Sequence, residues 1–374
     1  MIIILIAALL CLFIWWSRAG RRPPAGAAEL RLQEICPFGF DTGHGNLLGV
    51  QPYMTPGDYA SEARFYAKLD AYLADAKRRG FIADKTIVVF PEYLSAWLIV
   101  AGEKRSVYRA PTVDRVAALL AASNLLSFLR WLPYASAPER ARRALLNMKA
   151  RSMAAIYQRV FSRLAQTYRV TIVAGSVILP DPKVRDGVLT AGRGPLYNTS
   201  VVYAPDGRAL APVVKKAFPV AEELRYLKAG RAEDLPVFDT PAGRLAVLIC
   251  ADSWYPEPYL RLNPQRPDII AVPAFLYSAG QWEEPWTGYS GAPPPDDVDP
   301  NDIGVLTEGQ AWLKYSLPAR LRDSGARAGI GVFLQCRLWN LTSDGQSFAV
   351  VDDSTHTCPR TDGAALLNLW LPPP

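Results

Sequence analysis

The sequence predicts an α/β fold whose strands are covered on both faces. Short, continuous apolar runs recur along the chain, as expected of buried strands. Helical patterns lie between these runs, and such alternation is typical of an α/β domain. The 32 prolines and 26 glycines indicate many loops and argue against a helical bundle.

The elements follow in order along the chain. Strands are expected at residues 30–36, 86–90, 170–178, 199–204, 244–250, 268–273, 329–335 and 347–351. Helices are expected at residues 58–79, 137–168 and 308–325, the first with Asp58 as its N-cap. Residues 281–303, rich in Trp, Pro, Gly and Asp, predict a long irregular loop.

Composition excludes several classes of protein. The chain has 374 residues, of which 50% are hydrophobic, so it is too apolar for a disordered protein. The net charge of +6 is mild and no basic block stands out, so no nucleic-acid partner is predicted. Five cysteines without a CxxC pair and only two histidines argue against a zinc site. The odd cysteine count argues against a disulfide framework and leaves at least one free thiol.

The N-terminus predicts a membrane segment. Residues 2–16 carry no charge, and three arginines follow within residues 17–22. Residues 1–22 are therefore expected to form an uncleaved single-pass anchor, with a cleaved signal segment as the alternative. The arginines predict that the domain lies on the cytoplasmic side. Residues 23–28 are expected to be a linker, and residues 29–374 the folded domain.

Residues 97–135 are interpreted as an insert in that domain. They contain an uncharged stretch, residues 116–129, between Arg115 and Arg130. Two interpretations stay open. The stretch is either a helix lying on the membrane surface beside the anchor or an ordinary buried helix.

Three reactive residue types stand next to predicted strands. Glu92 follows an apolar strand and a proline, Cys250 stands where an apolar strand ends, and a Lys-Lys pair follows a turn. A thiol must lose its proton to attack a carbon atom, and neither His44 nor His356 lies in a context that marks it as the base. A buried carboxylate can act as that base, and a lysine can stabilise the resulting oxyanion. These residues form a complete acyl-transfer set.

The motifs in combination resemble the nitrilase superfamily of carbon–nitrogen hydrolases over about residues 29–372. They are Phe90-Pro91-Glu92, Tyr197-Asn198-Thr199, Pro205-Asp206-Gly207, Lys215, Glu223 with Tyr226 and Gly230, and Cys250-Ala251-Asp252 with Pro256-Glu257. The resemblance implies an α-β-β-α sandwich with the site at the ends of the strands. It also implies Glu92 as general base and Cys250 as nucleophile.

The resemblance favours Lys215 over Lys216 as the oxyanion stabiliser. Lys215 stands eight residues after Gly207 and three before Phe218, which is the family's spacing. Glu223 resembles the second glutamate that many members place near the lysine.

The resemblance also assigns residues around the substrate. It gives the backbone N–H of Ala251 to the oxyanion, although many members have an aromatic residue there. Trp282 and Trp286 are expected to roof the pocket. Neither a metal nor another cofactor is implied.

The function that follows is hydrolysis of a carbon–nitrogen bond through a cysteine thioester, with an amide preferred to a nitrile. The alternatives are a membrane-associated N-acyltransferase with the same three residues and a non-catalytic binding protein on this fold. Asp252, two residues after the cysteine, stands where hydrolases of the family have aspartate. The expected partners are a small-molecule or lipid-linked amide and a membrane through residues 2–16. Homo-oligomer formation is left open.

Overall fold

The computed structural model describes residues 1–24, 29–135 and 138–373. Most of the predicted linker, residues 25–28, lies outside the described residues, as does Ala137, the first residue of the second predicted helix.

The described strands and helices run as follows. The strands are β1 Leu32–Phe38, β2 Asn46–Gln51, β3 Tyr53–Met54, β4 Thr86–Phe90, β5 Thr171–Pro180, β6 Lys183–Arg185, β7 Val188–Thr190, β8 Leu196–Tyr203, β9 Val214–Lys215, β10 Val237–Thr240, β11 Gly243–Val247, β12 Ile269–Ala274, β13 Leu276–Tyr277, β14 Ala328–Phe333, β15 Gln335–Leu338, β16 Leu341–Asp344, β17 Phe348–Val351, β18 Ser354–Thr357 and β19 Ala364–Trp370. The helices are α1 Ile2–Arg18, α2 Glu62–Arg78, α3 Arg105–Tyr108, α4 Val113–Ser123, α5 Leu125–Trp131, α6 Arg140–Tyr168, α7 Ala221–Leu224, α8 Pro256–Leu262, α9 Glu308–Tyr315 and α10 Leu317–Arg320.

Two large sheets form the centre of the domain. One has the strand order β1-β19-β2-β4-β5-β8-β9, and the other has the order β10-β11-β12-β14-β17-β18. The central strands β2, β4 and β5 run parallel, as do β11, β12 and β14. The sheets pack face to face through β12 and β14 against β2 and β4. Parallel strands covered on both faces explain the continuous apolar runs of the sequence.

Helices cover the outer face of each sheet. Helices α2 and α6 bury side chains such as Leu69, Tyr157 and Phe161 against the first sheet. Residues of α8 to α10, among them Trp312 and Leu317, pack in the core of the second sheet. This arrangement confirms the predicted α/β class and its α-β-β-α layers.

Two helix boundaries differ from the prediction. Helix α2 begins after Ser61, whose side chain accepts a hydrogen bond from the Arg64 N–H at 3.2 Å. Asp58 instead lies in a preceding 3₁₀ turn and accepts hydrogen bonds from Thr55. The predicted helix at residues 308–325 is broken at Ser316, two residues before Pro318. Pro318 has no N–H to donate to the Lys314 carbonyl four residues earlier, and its ring would clash with that carbonyl in a continuous helix, which accounts for the break.

The N-terminal segment forms α1, which packs against α4. Among the described residues, no single helix combines the length and apolar character needed to cross a membrane, so the predicted spanning anchor is not supported. One bent pair, Val113–Ser123 with Leu125–Tyr134, passes that test jointly, with a bend of 99°.

That bent pair occupies the predicted insert. Helix α4 buries Val116, Leu120 and Ser123, whereas α5 buries none of its seven residues. Only the inner side of α4 therefore fits the interpretation as an ordinary buried helix. In α5 Phe128 packs partly against the core, whereas Leu125, Leu126 and Leu129 are exposed.

One disulfide corrects the expectation drawn from the odd number of cysteines. Cys36 in β1 is bonded to Cys358, which follows β18, across a sequence separation of 322 residues. The bond joins an edge strand of the first sheet to the chain that leaves the edge of the second. Among the described residues, Cys11, Cys250 and Cys336 are free.

Candidate active site

The position of Glu92 is fixed by an irregularity in the neighbouring strand. The pairing of β5 with β8 shifts register between Val173 and Ser176, and Gly175 there has φ +64°. A Cβ at Gly175 would lie 2.2 Å from the carbonyl oxygen of Pro91, so only glycine permits this approach. Ser176 then holds the turn after β4, since its Oγ accepts the Tyr93 N–H at 2.8 Å. Glu92 is left 1% exposed.

Cys250 lies in a tight turn after β11. Its φ of 51° is left-handed, which is uncommon for a residue with a side chain. The thiol is 7% exposed and lies 3.7 Å from the Phe275 carbonyl oxygen. Ser253 Oγ donates to the Cys250 carbonyl at 2.8 Å and holds the turn.

The structure places Lys216 at Glu92, and not Lys215. Lys216 Nζ lies 2.8 Å from Glu92 Oε1 and 2.8 Å from Glu223 Oε2. Lys215 Nζ instead lies 4.3 Å from the centre of the Tyr197 ring. The predicted choice of Lys215 is therefore corrected to Lys216.

The reason is the alternation of side chains along a strand. In the pairing of β8 with β9, Lys215 is opposite Thr199, so it shares a face with Thr199 and Tyr197. Lys216 N–H donates to the Asn198 carbonyl at 2.9 Å, and both side chains point to the carboxylates. Counting residues from Gly207 crosses an irregular turn and does not determine which face a residue occupies.

Asn198 joins the two carboxylates. Its Nδ2 donates to Glu92 Oε1 at 2.7 Å and to Glu223 Oε1 at 3.0 Å. Glu223, at the first turn of α7, also accepts the Val220 N–H at 2.9 Å and the Tyr93 hydroxyl. Glu92, Lys216, Glu223 and Asn198 thus form one buried network next to Cys250.

Burial and charge shift the pKa values of the two glutamates in opposite directions. Burial raises the pKa of Glu92 above its ordinary value; the charge of Lys216 opposes this rise and the charge of Glu223 adds to it. Burial would also raise the pKa of Glu223, but Lys216 and the hydrogen bonds from Tyr93 and Val220 hold it below its ordinary value.

The thiol and the ammonium group are shifted as well. Burial and the charge of Glu92 raise the pKa of the Cys250 thiol well above its ordinary value. Burial disfavours a charged lysine, yet Glu223 and Glu92 hold the pKa of Lys216 well above its ordinary value. The resting site therefore holds a neutral thiol, a charged lysine, and a glutamate suited to accept a proton.

Asp252 connects the cysteine turn to the lysine strand. Its Oδ1 accepts the N–H groups of Ala217 at 2.8 Å and Phe218 at 2.7 Å, and its Oδ2 accepts that of Ile249 at 3.0 Å. The side chain is fully buried, and burial raises the pKa of Asp252 to about 7. These contacts fix the backbone next to Lys216 relative to the backbone next to Cys250.

The predicted roof residues lie within an aromatic cluster. Trp286 is 2% exposed and stacks on Trp254 at 5.8 Å, whereas Trp282 is 4% exposed and contacts the Phe333 ring at 5.3 Å. Both tryptophans therefore anchor the loop at residues 281–303, and their described ring contacts are with other aromatic rings. A direct role in roofing the pocket stays a prediction, as does the oxyanion role of the Ala251 N–H.

The loop itself reaches the elements that carry the site. Ser290 Oγ accepts the Ala221 N–H at 3.2 Å, next to Glu223. The Tyr289 hydroxyl donates to the Trp254 carbonyl at 3.0 Å, in the turn that carries Cys250. The loop therefore closes over both the α7 segment and the cysteine turn.

Three contributors were not predicted as site residues. They are Tyr93, Asn198 and Asp252. The last two were visible in the motifs around Tyr197 and Cys250, and a buried polar residue on a strand is a signal that it binds another polar group. Tyr93 gave no such signal, because its contact with Glu223 joins residues far apart in the chain.

Comparison with known proteins finds a family profile and curated relatives that match this chain. The carbon–nitrogen hydrolase family profile matches residues 50–292. That range includes the four residues that meet in the candidate site, Glu92, Lys216, Glu223 and Cys250. A probable nitrilase of Schizosaccharomyces pombe is 28% identical over 129 residues, which are 34% of this chain and 41% of that protein. A deaminated glutathione amidase of Synechocystis is 29% identical over 147 residues, or 37% of this chain and 50% of that protein. The matched stretch thus spans half or less of each curated relative.

Solved structures show the same fold. The amidase from Nesterenkonia sp. AN1, as a double mutant in complex with acrylamide, superposes with a TM-score of 0.55 at 15% identity. That match covers 90% of this chain and 93% of the amidase. A second structure of the amidase, in which acrylamide has added to the active-site cysteine, gives a TM-score of 0.54 at 15% identity, covering 88% of this chain and 94% of that one. The family profile covers well over half of the sequence, and the chain belongs to the carbon–nitrogen hydrolase family.

Proposed function

We propose that this protein hydrolyses an amide through a covalent Cys250 thioester. The observation that carries the proposal is the convergence of Cys250, Glu92 and Lys216 in one buried network, with Glu223 as a second acid. Nucleophile, base and cation are the three groups that acyl transfer needs.

The first half-reaction forms the thioester. The thiol is neutral at rest, so its proton passes to the Glu92 carboxylate as Sγ bonds to the carbonyl carbon. The carbonyl oxygen becomes an oxyanion, which Lys216 and the Ala251 N–H stabilise. Glu92 then gives its proton to the nitrogen, the carbon–nitrogen bond breaks, and ammonia or an amine leaves.

The second half-reaction reverses these roles. Glu92 takes a proton from water as the water oxygen attacks the thioester carbon. The carbon–sulfur bond then breaks, the sulfur takes the proton back, and the carboxylic acid leaves. Glu223 stays charged throughout and keeps Lys216 in place through their 2.8 Å contact.

A small-molecule amide is the proposed substrate class. It is supported by relatives named as an amidase that acts on deaminated glutathione and as an amidase that binds acrylamide. The nitrile reaction is supported by one relative, the probable nitrilase of Schizosaccharomyces pombe, and the N-acyltransferase reaction and a purely binding role are the remaining alternatives. The test below separates them from amide hydrolysis.

The first prediction concerns the acyl-enzyme. We expect intact-protein mass spectrometry to detect an adduct on the wild-type chain after incubation with a reactive member of a panel of amides, nitriles and phospholipids. Cys250→Ala should give no adduct, whereas Cys336→Ala, which removes another buried thiol, should give the wild-type result.

The fate of the adduct identifies the reaction. Decay in water supports the hydrolase, and persistence until an amine is added would indicate the acyltransferase. Equal labelling of the Cys250→Ala variant would contradict the assignment of the nucleophile.

The second prediction separates the two adjacent lysines. Lys216→Met should lower kcat/KM by at least about 100-fold, because it removes a group aimed at the oxyanion. Lys215→Met is the matched control and should stay within about threefold of wild type, since its cation lies over Tyr197. Amide hydrolysis rates on both purified variants are the measurement.

Loss of a cation between two buried carboxylates also lowers stability, so thermal unfolding of Lys216→Met is measured beside its activity. The assignment fails if Lys215→Met is the inactive variant and Lys216→Met remains active.

The third prediction concerns pH. Glu92 must be ionised to take the thiol proton, so kcat/KM should fall as the pH drops through its raised pKa. The charge of Glu223 contributes to that rise, so Glu223→Gln should move the acidic limb to lower pH. Glu222→Gln, an exposed neighbour, should leave the limb unchanged. An acidic limb that moves upward in Glu223→Gln would reject this electrostatic account.

The compartment is a further proposal. We propose that the domain works on an oxidising side of a membrane to which residues 2–16 attach it. The arginines after those residues predict the cytoplasmic side, but a disulfide such as Cys36–Cys358 persists mainly in oxidising compartments. We give the disulfide more weight than the arginines, because the cytoplasmic prediction depends on only three charged residues.

The fourth prediction tests this proposal. When cells are alkylated during lysis and the protein is then digested, mass spectrometry should find Cys36 and Cys358 linked and unalkylated. Cys250 and Cys336 should be alkylated after unfolding and serve as internal controls. Full alkylation of Cys36 and Cys358 would place the domain on the reducing side.

A further inference from the structure

Most of the exposed large apolar side chains of the described residues are concentrated in two segments. In α1 they include Leu5 at 61% exposed, Leu12 at 59% and Trp15 at 66%. In and after α5 they include Leu126 at 72% and Tyr134 at 81%. Soluble surfaces carry single apolar residues, but such concentrations mark interaction sites.

A buried glutamate fixes the two segments to each other. Glu103 is 1% exposed, and its carboxylate lies 3.2 Å from Arg21, just after α1. It also accepts a hydrogen bond from Asn124 at 3.0 Å, at the break between α4 and α5, and contacts Lys149 of α6. Arg21 itself donates to the Ser123 carbonyl at 3.1 Å. This network holds α1 and the α4–α5 break on one side of the domain.

Basic and aromatic groups border these segments. Lys104 Nζ lies 3.7 Å from the centre of the Trp16 ring, at the end of α1. Within residues 97–135 there are five basic residues, Lys104, Arg105, Arg109, Arg115 and Arg130, against two acidic ones, Glu103 and Asp114. Glu103 and Lys104 are buried, so the exposed charge consists of the four arginines against Asp114 and is mainly positive.

We propose that α1 and α5 form one membrane-docking surface that binds a bilayer containing anionic lipids. Helix α5 lies in the headgroup region with Leu125, Leu126 and Leu129 toward the acyl chains. The basic residues at its border meet lipid phosphates. A lipid occupant is favoured over a second protein copy because the surface joins apolar helices to a positive border and aromatic rings, as in interfacial helices. The surface extends membrane contact beyond residues 2–16 and fixes which face of the domain meets the bilayer.

The fifth prediction uses the full chain and vesicle flotation. Vesicles contain phosphatidylcholine alone or mixed with phosphatidylglycerol. The double substitution Leu126→Asp and Leu129→Asp should weaken binding to the mixed vesicles by about tenfold or more. Leu260→Asp is the matched control, because Leu260 is an exposed helical leucine at 60% on α8, and its affinity should equal that of wild type. Wild-type binding should weaken as salt is added.

Hydrogen exchange gives an independent outcome on the same samples. Backbone amides of residues 125–134 should exchange more slowly when the wild-type chain is bound to mixed vesicles. Unchanged exchange there, or full binding by the double variant, would overturn the proposal and leave α1 as the membrane contact. Slower exchange without vesicles as the protein concentration rises would also overturn it, in favour of a second copy. Equal thermal unfolding of the variants excludes loss of the fold as the cause of weaker binding.

Discussion

Three buried ionisable groups, two carboxylates that share one ammonium group, set the main constraint on this structure. Glu92, Lys216 and Glu223 are each less than 5% exposed. A buried charge is costly unless a partner of opposite charge and hydrogen bonds compensate it, so none of the three can be placed without the others. The constraint explains the local irregularities that bring them together. These are the glycine bulge in β5 beside Pro91, and the tight approach of Gly230, whose N–H donates to the Lys216 carbonyl at 2.7 Å.

The same network assigns different tasks to the two glutamates. Glu223 receives hydrogen bonds from Val220 and Tyr93 in addition to those from Lys216 and Asn198, so its charged form is well stabilised. Burial raises the pKa of Glu92, because the Lys216 and Asn198 contacts that it shares with Glu223 do not offset the loss of water and Cys250 beside it is a neutral thiol. Separation of the pKa values of two neighbouring acids distinguishes the one that carries protons from the one that remains charged.

Sequence patterns correctly predicted the features that depend on local structure. They failed for features that depend on contacts between segments far apart in the chain. Glu92 and Cys250 follow apolar strands, and β4 was predicted to the residue because a buried strand between turns leaves a clear signature. The choice between Lys215 and Lys216 depends on which face of β9 meets Asn198, and the preceding turn hides that register. The Cys36–Cys358 bond depends on two sheet edges meeting, which no spacing of cysteines indicates. The exposure of α5 also depends on how distant segments pack, so the sequence alone did not decide between a helix on the membrane surface and a buried helix.

Glu103 has an environment similar to that of Glu92, but it lies at the joint between α1 and the domain. Like Glu92, it is a buried glutamate held by a lysine and an asparagine side chain, here Lys149 and Asn124. The difference is a second cation, Arg21, which gives Glu103 an excess of positive partners where Glu92 must share one lysine with Glu223. The two cations hold the Glu103 carboxylate in place from the end of α1 and from α6, which suits a joint between the N-terminal helix and the domain. A carboxylate that shares one cation keeps a protonation equilibrium within reach, which suits a general base. The number of cations around each buried glutamate thus separates the structural role of one from the proposed chemical role of the other.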